Sequence, residues 1–195
     1  MNEKSSQEIA TVDVQQAKYG KRNKITATKR ITYIATLVAA SLVLKIASAL
    51  IKTETVTLSF VYIPWIIAAI VLGPVGGFAV AAISDLLGAA IQGYLPPNPI
   101  LTLGCAMYGF IMGLVFKIPK IDPRLQIVIG MLIVIPVCTL GLNSLGIFMY
   151  YAPQKTFTVF MTYVTARLLQ IPVVVLNVAI TTFFFPLLKK KGFLK

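Results

Sequence analysis

The sequence predicts an all-α integral membrane bundle of six transmembrane helices with both termini cytoplasmic. Three observations carry that reading. Of the 195 residues, 57% are hydrophobic and only 12% are charged, whereas a soluble domain is about half apolar and about a quarter charged. The mean hydropathy is +0.85, which leaves too little polar surface to face water. Apolar runs also recur along the chain at lengths near the roughly 20 residues that a helix needs to cross a bilayer. Finally, the net charge of +12 is not spread along one face, as a nucleic-acid-binding surface would require. It sits in blocks beside the apolar runs, the positive-inside pattern of membrane proteins.

Taken in order, residues 1–28 are polar, basic and poor in aromatics, and predict a disordered cytoplasmic tail. Residues 29–195 form one transmembrane domain. Span 1 runs from about Ile31 to Ile51, and the polar stretch Lys52 to Thr57 is the first outer loop. Span 2 covers about Leu58 to Leu72. The glycine-rich GPVGG, Gly73 to Gly77, turns the chain on the inner side. Span 3 covers about Phe78 to Gln92, and Gly93 to Pro99 is a proline-stiffened outer loop. Span 4 is about Ile100 to Phe116, followed by the inner loop Lys117 to Arg124. Span 5 is about Leu125 to Ile147, interrupted by Pro136. An outer loop around Tyr150 to Lys155 leads to span 6, about Phe157 to Leu188, with Pro172 inside it. The inner segments hold Lys18, Lys21, Arg22, Lys24, Lys29, Arg30, Lys117, Lys120, Arg124, Lys189, Lys190, Lys191 and Lys195. The outer loops hold Lys52 and Lys155.

The composition also excludes chemistry. There is no histidine, and Cys105 and Cys138 lie apart in apolar runs. Neither a zinc site, a disulfide framework nor a serine–histidine mechanism is available. No GxxxxGK[ST] phosphate loop is present, so energy for uphill movement would come from another subunit. No cofactor is expected.

Ionisable side chains inside spans are costly and mark function by default. Lys45, Asp85 and Arg167 are the three. At 1.5 Å of rise per residue they lie roughly 9, 10 and 15 Å below the outer ends of their helices. Each has polar company at helical spacing: Ser41, Lys45 and Ser48; Asp85 and Gln92; Tyr163, Arg167, Gln170 and Asn177. Polar stripes on apolar helices face the bundle interior, since lipid cannot satisfy them. Asn98, Asn143 and Tyr62 fall near the same mouth. Together these suit an organic anion with a hydrogen-bonding ring or amide. The structural alternatives are that Lys45 snorkels to the headgroups, that Asp85 only pairs with Lys45 or Arg167, that Asn98 shapes a turn, and that Tyr62 and Trp65 anchor the interface. On the other side of span 1, Ala35 and Ala39 form a small-xxx-small pair, which admits a close helix partner.

In their order, several segments resemble the substrate-binding S components of energy-coupling-factor (ECF) transporters, and most closely the folate branch. They are the Ala35/Ala39 pair, VTLSFVYIP (Val56 to Pro64), LGPVGGF (Leu72 to Phe78), SDLLGA (Ser84 to Ala89), the PPNP loop, NSLG (Asn143 to Gly146) and ARLLQIPV (Ala166 to Val173). The resemblance spans about Lys29 to Lys190. It implies high-affinity vitamin uptake at the plasma membrane of a bacterium, with a membrane coupling subunit and two cytoplasmic ATPases as partners. It further implies that Ala35 and Ala39 face the coupling subunit and that the ligand is held near the outer side. Pantothenate or a cobalamin-like solute is the alternative to folate, and a stand-alone membrane carrier or channel is the alternative to a transporter subunit. The chain departs from the folate branch in having Thr57 and Leu58 before Ser59, where an arginine is frequent, and in carrying a single tryptophan.

Overall fold

A computed structural model describes residues 26–50, 59–93, 96–119, 121–169 and 171–190, the last seven of these by backbone alone. The expected tail up to residue 25, the first outer loop and Gln170 lie outside the described residues. The chain divides into two units, Met1–Ile31 and Thr32–Lys195. Of the first only residues 26–31 are described, and the helical bundle belongs to the second. Every regular element among the described residues is helical: α1 (Ala27–Leu50), α2 (Tyr62–Ile91), α3 (Pro99–Val115), α4 (Pro123–Val134), a π-helical segment (Ile135–Asn143), α5 (Ser144–Tyr151), α6 (Phe157–Leu168) and α7 (Ile171–Lys190). Among the described residues, four helical runs are long and apolar enough to cross a membrane: Ala27–Leu50, Tyr62–Ile91, Pro123–Tyr151 and Phe157–Phe183.

Exposure is distributed inside out. Leu50, Leu132, Phe157 and Phe183 are mostly exposed, while Ser41, Ser84, Asp85, Asn98, Asn143 and Asn177 are buried. Such an apolar exterior suits lipid, where polar groups must find partners within the bundle. The chain is therefore read as a multi-pass membrane protein.

The second run is not one straight helix. At Gly73 the backbone takes φ 77° and ψ −171°, a region open to glycine and costly for other residues. Pro74 then starts a new helical turn with φ already set. The arms, 62–72 and 74–91, fold back on each other: the Trp65 indole N–H on the first reaches the Ser84 hydroxyl on the second at 2.8 Å. The expected inner turn over Gly73 to Gly77 is thus made by Gly73 alone, and Pro74 to Gly77 are already helical. A second glycine, Gly93 (φ 76°), ends the returning arm.

Close backbone packing seats α3 on this hairpin. A Cβ placed on Gly77 would lie 2.5 Å from the Gly109 carbonyl oxygen, and one on Gly113 would strike the Pro74 backbone. With no hydrophobic force between helices in lipid, such approach is how spans cohere. The start of α3 is fixed by Asn98, whose Oδ1 accepts from the Ile100 and Leu101 amides and whose Nδ2 donates to the Gly146 carbonyl on α5 at 2.8 Å.

The fifth expected span does contain its irregularity at Pro136, but the form is a nine-residue π-helix rather than a break. Proline lacks the amide that would continue the α-ladder, and a wider turn accommodates the loss. The sixth expected span differs more. It is interrupted after Leu168, and Pro172 occupies the first turn of α7 instead of lying within a continuous helix. The physical reason is the restriction that proline places on itself and the residue before it. The expected stripe Tyr163, Arg167, Gln170, Asn177 is split accordingly between two helices.

Candidate functional site

Where α1, both arms of α2, α3, the π-helix and α6 converge, a cavity of about 150 Å³ opens. Its composition follows from helix periodicity. Leu101, Gly104, Cys105 and Tyr108 line it from one face of α3, and Tyr62 and Trp65 from one face of α2's first arm. Tyr62 stacks on Tyr108, with centroids 5.1 Å apart, and Trp65 meets both rings edge-on at 5.6 Å. The indole N–H of Trp65 has two acceptors, the Ser41 hydroxyl of α1 at 3.0 Å and the Ser84 hydroxyl at 2.8 Å. The indole thus ties α1 to both arms of the hairpin.

Charged side chains line the cavity as well. Lys45 Nζ donates to Asp85 Oδ1 at 2.9 Å and approaches the Asp85 carbonyl oxygen at 3.4 Å. The other carboxylate oxygen accepts from Thr102 Oγ1 at 2.9 Å. The lysine stem passes over Gly88, where any side chain would collide with it. Lys45 therefore turns into the bundle rather than toward headgroups, and the spacing Asp85–Gly88 on one helix face makes room for it. Losing one partner of such a buried pair costs about 3–5 kcal/mol, because a charge is left uncompensated.

Asn143 enters from the end of the π-helix. It is buried, and Gly104 is the residue whose missing side chain admits it. Its Oδ1 has no hydrogen-bond partner among the described residues, which leaves a costly unmet demand next to the cavity. Arg167 reaches the lining from α6, a helix that buries none of its residues.

Of the residues singled out in the sequence, the fold thus brings Lys45, Tyr62, Asp85, Asn143 and Arg167 to one cavity. Asn98 is engaged as the α3 N-cap, and Gln92 and Tyr163, both partly exposed, lie outside the lining. Ala35 and Ala39 are exposed on α1. Trp65, Tyr108, Thr102 and Gly104 join the site only in the folded chain. The repeat Leu101, Gly104, Cys105, Tyr108, at i, i+3, i+4 and i+7, is the signal the sequence offers for Gly104 and Tyr108. Its residue types match ordinary packing, which makes it indistinct.

None of the curated proteins matches the chain. A family model described as "ECF transporter, substrate-specific component" matches residues 29–188, most of the length. Components of that kind work with an ECF module of membrane coupling and ATPase subunits, and the family is one of transporter subunits rather than enzymes. The polar cavity inside an apolar helical bundle is in keeping with that match, and the chain belongs to the family of ECF transporter substrate-specific components.

Proposed function

We propose that the protein captures a water-soluble vitamin, folate foremost, and hands it to an energising module without covalent chemistry of its own. The observation that carries this reading is the cavity itself. Three aromatic residues, Tyr62, Trp65 and Tyr108, line it, and Lys45, Asp85, Arg167 and Asn143 offer polar contacts around it. Pockets of that make-up, mostly apolar with a few converging polar groups, are how small ligands are held. Arg167 is assigned to a ligand carboxylate, and Asn143 to the ring or an amide. A cavity of about 150 Å³ takes the ring end of folate with its tail outside, and is far too small for the corrin of cobalamin. Pantothenate is the second reading, because Arg167 in the lining suits its carboxylate.

The doubled-back α2 supports counting six spans, which places both basic termini in the cytoplasm of a bacterial cell. The partners on this reading are a membrane coupling subunit, docking on Ala35 and Ala39, and two cytoplasmic ATPases. Both alanines are exposed, as docking requires. Calorimetry on the purified chain against folate, pantothenate, cobalamin, riboflavin, thiamine and biotin tests the proposal. Submicromolar binding of folate is expected. Failure of a folded sample to bind any of the six refutes vitamin capture.

A further inference from the structure

On sequence alone Lys45 belongs to a polar cluster that suits an organic anion. The geometry points to another partner: we infer that Lys45 and Asp85 together bind the uncharged edge of a ring, one that presents an N–H donor beside a C=O or ring-nitrogen acceptor. Asp85 is the residue that sets this selectivity. The inference rests on the capture reading and deepens it by naming the chemical group that enters the cavity.

The lysine does not arrive as a lone cation. Its ammonium already donates to Asp85 Oδ1 at 2.9 Å, its stem is seated over Gly88, and Thr102 fixes the other carboxylate oxygen at 2.9 Å. Three helices therefore hold an ion pair in place at the cavity wall. A ligand carboxylate brought to Lys45 would lie beside the carboxylate of Asp85, and like charges at such separation repel strongly where water is scarce. An uncharged edge meets no such repulsion. The ammonium has three hydrogens and each carboxylate oxygen two lone pairs, so the pair keeps a donor and an acceptor side by side after satisfying itself.

That leftover pattern matches a cyclic amide, urea or amidine, or a primary amide, all of which present N–H and acceptor on one edge. A trans secondary amide points them in opposite directions and does not match. Size agrees, because a cavity of about 150 Å³ is one that a benzene-sized ring fills. The Tyr62–Tyr108 pair and Trp65 give the cavity an aromatic lining, which suits such a ring. Any charged tail of the ligand would then lie outside this pair.

The test uses the full chain in detergent and isosteric single-ring probes, nicotinamide and nicotinate, with pterin as a fused-ring lactam. Trp65 is the chain's one tryptophan and lines the cavity, so its fluorescence reports occupancy directly. Arg167 also lines the cavity and is assigned to a ligand carboxylate, so the pair is read by itself in Arg167→Gln. There nicotinamide and pterin should quench the fluorescence, with nicotinate at least about tenfold weaker than nicotinamide. Adding Asp85→Asn should turn the preference toward nicotinate, because the repelling charge is gone and the Lys45 ammonium is left without its carboxylate. Should the double variant fail to fold, the ratio in Arg167→Gln remains decisive. Nicotinate binding as well as or better than nicotinamide in Arg167→Gln overturns the inference. Tight pantothenate binding with no response to the amide or lactam probes overturns it too, while leaving vitamin capture intact. Silence from every vitamin and every probe overturns both.

Discussion

Replacing Gly77 by alanine tests whether backbone contact between α2 and α3 holds the cavity in shape. The added Cβ would lie 2.5 Å from the Gly109 carbonyl oxygen, 3.0 Å from its carbonyl carbon and 3.2 Å from Ala69 Cα. All three neighbours are backbone atoms, so no side-chain rotation relieves the overlap. The shortest contact falls roughly 0.9 Å inside ordinary van der Waals distance, and the helices must part by about that much. Overpacking of this kind costs about 1–3 kcal/mol. Parting them also draws the α3 face bearing Thr102 away from the α2 arm bearing Asp85, which the 2.9 Å hydrogen bond between the two joins, so ligand affinity should fall with stability. Thermal unfolding in detergent, followed by Trp65 fluorescence, reads the stability. Val75→Ala, at a site 64% exposed, is the control and should stay within about 0.5 kcal/mol. If Gly77→Ala unfolds at the wild-type temperature, the helices are not in backbone contact there, and something else holds the cavity in shape.

The Trp65 clamp predicts non-additivity. Ser41→Ala or Ser84→Ala alone leaves the indole N–H one acceptor, whereas the double variant strands a buried donor at about 1–3 kcal/mol. Unfolding curves of the four proteins should therefore show the pair costing more than its parts, and simple additivity would argue against a shared bond. At the exposed face of α1, replacing Ala35 and Ala39 together by tryptophan should abolish co-purification with the coupling subunit and leave vitamin affinity unchanged. Assembly that survives the double replacement would move the docking face elsewhere.

How much of this is legible in the sequence depends on whether a feature is local. Span positions follow from hydropathy, and the reversal at Gly73 from its glycine and proline. Lys45 and Asp85 stand out because charge in an apolar run is conspicuous, and their pairing is an open alternative that the fold realises. What escapes is settled by tertiary approach. Gly104 and Gly88 read as ordinary small residues until Asn143 and the Lys45 stem are seen to occupy the space beside them. Asn98 looks like a ligand contact at the mouth, yet its amide is taken up by the α3 N-terminus and Gly146. Pro136 announces an irregularity but not its kind, since a proline can be absorbed by a kink or by a wider turn.

The placement of that π-helix bears on why the site has an unmet polar group at all. A π-turn inserts a residue without breaking the helix, and the segment ends on Asn143, so the insertion sets the direction from which this amide enters the lining. Polar groups around it are paired within the bundle: Ser84 with Trp65, Thr102 with Asp85, Asn98 with Gly146. In a lipid-facing fold each unpaired group carries its full desolvation cost, and an apolar residue of similar size would remove that cost. The π-helix thus presents an amide oxygen without a protein donor among the described residues, beside a ring-sized cavity where a bound ligand's N–H or O–H can meet it. On the capture reading that donor comes with the vitamin, and part of the affinity is the relief of this unmet demand on binding.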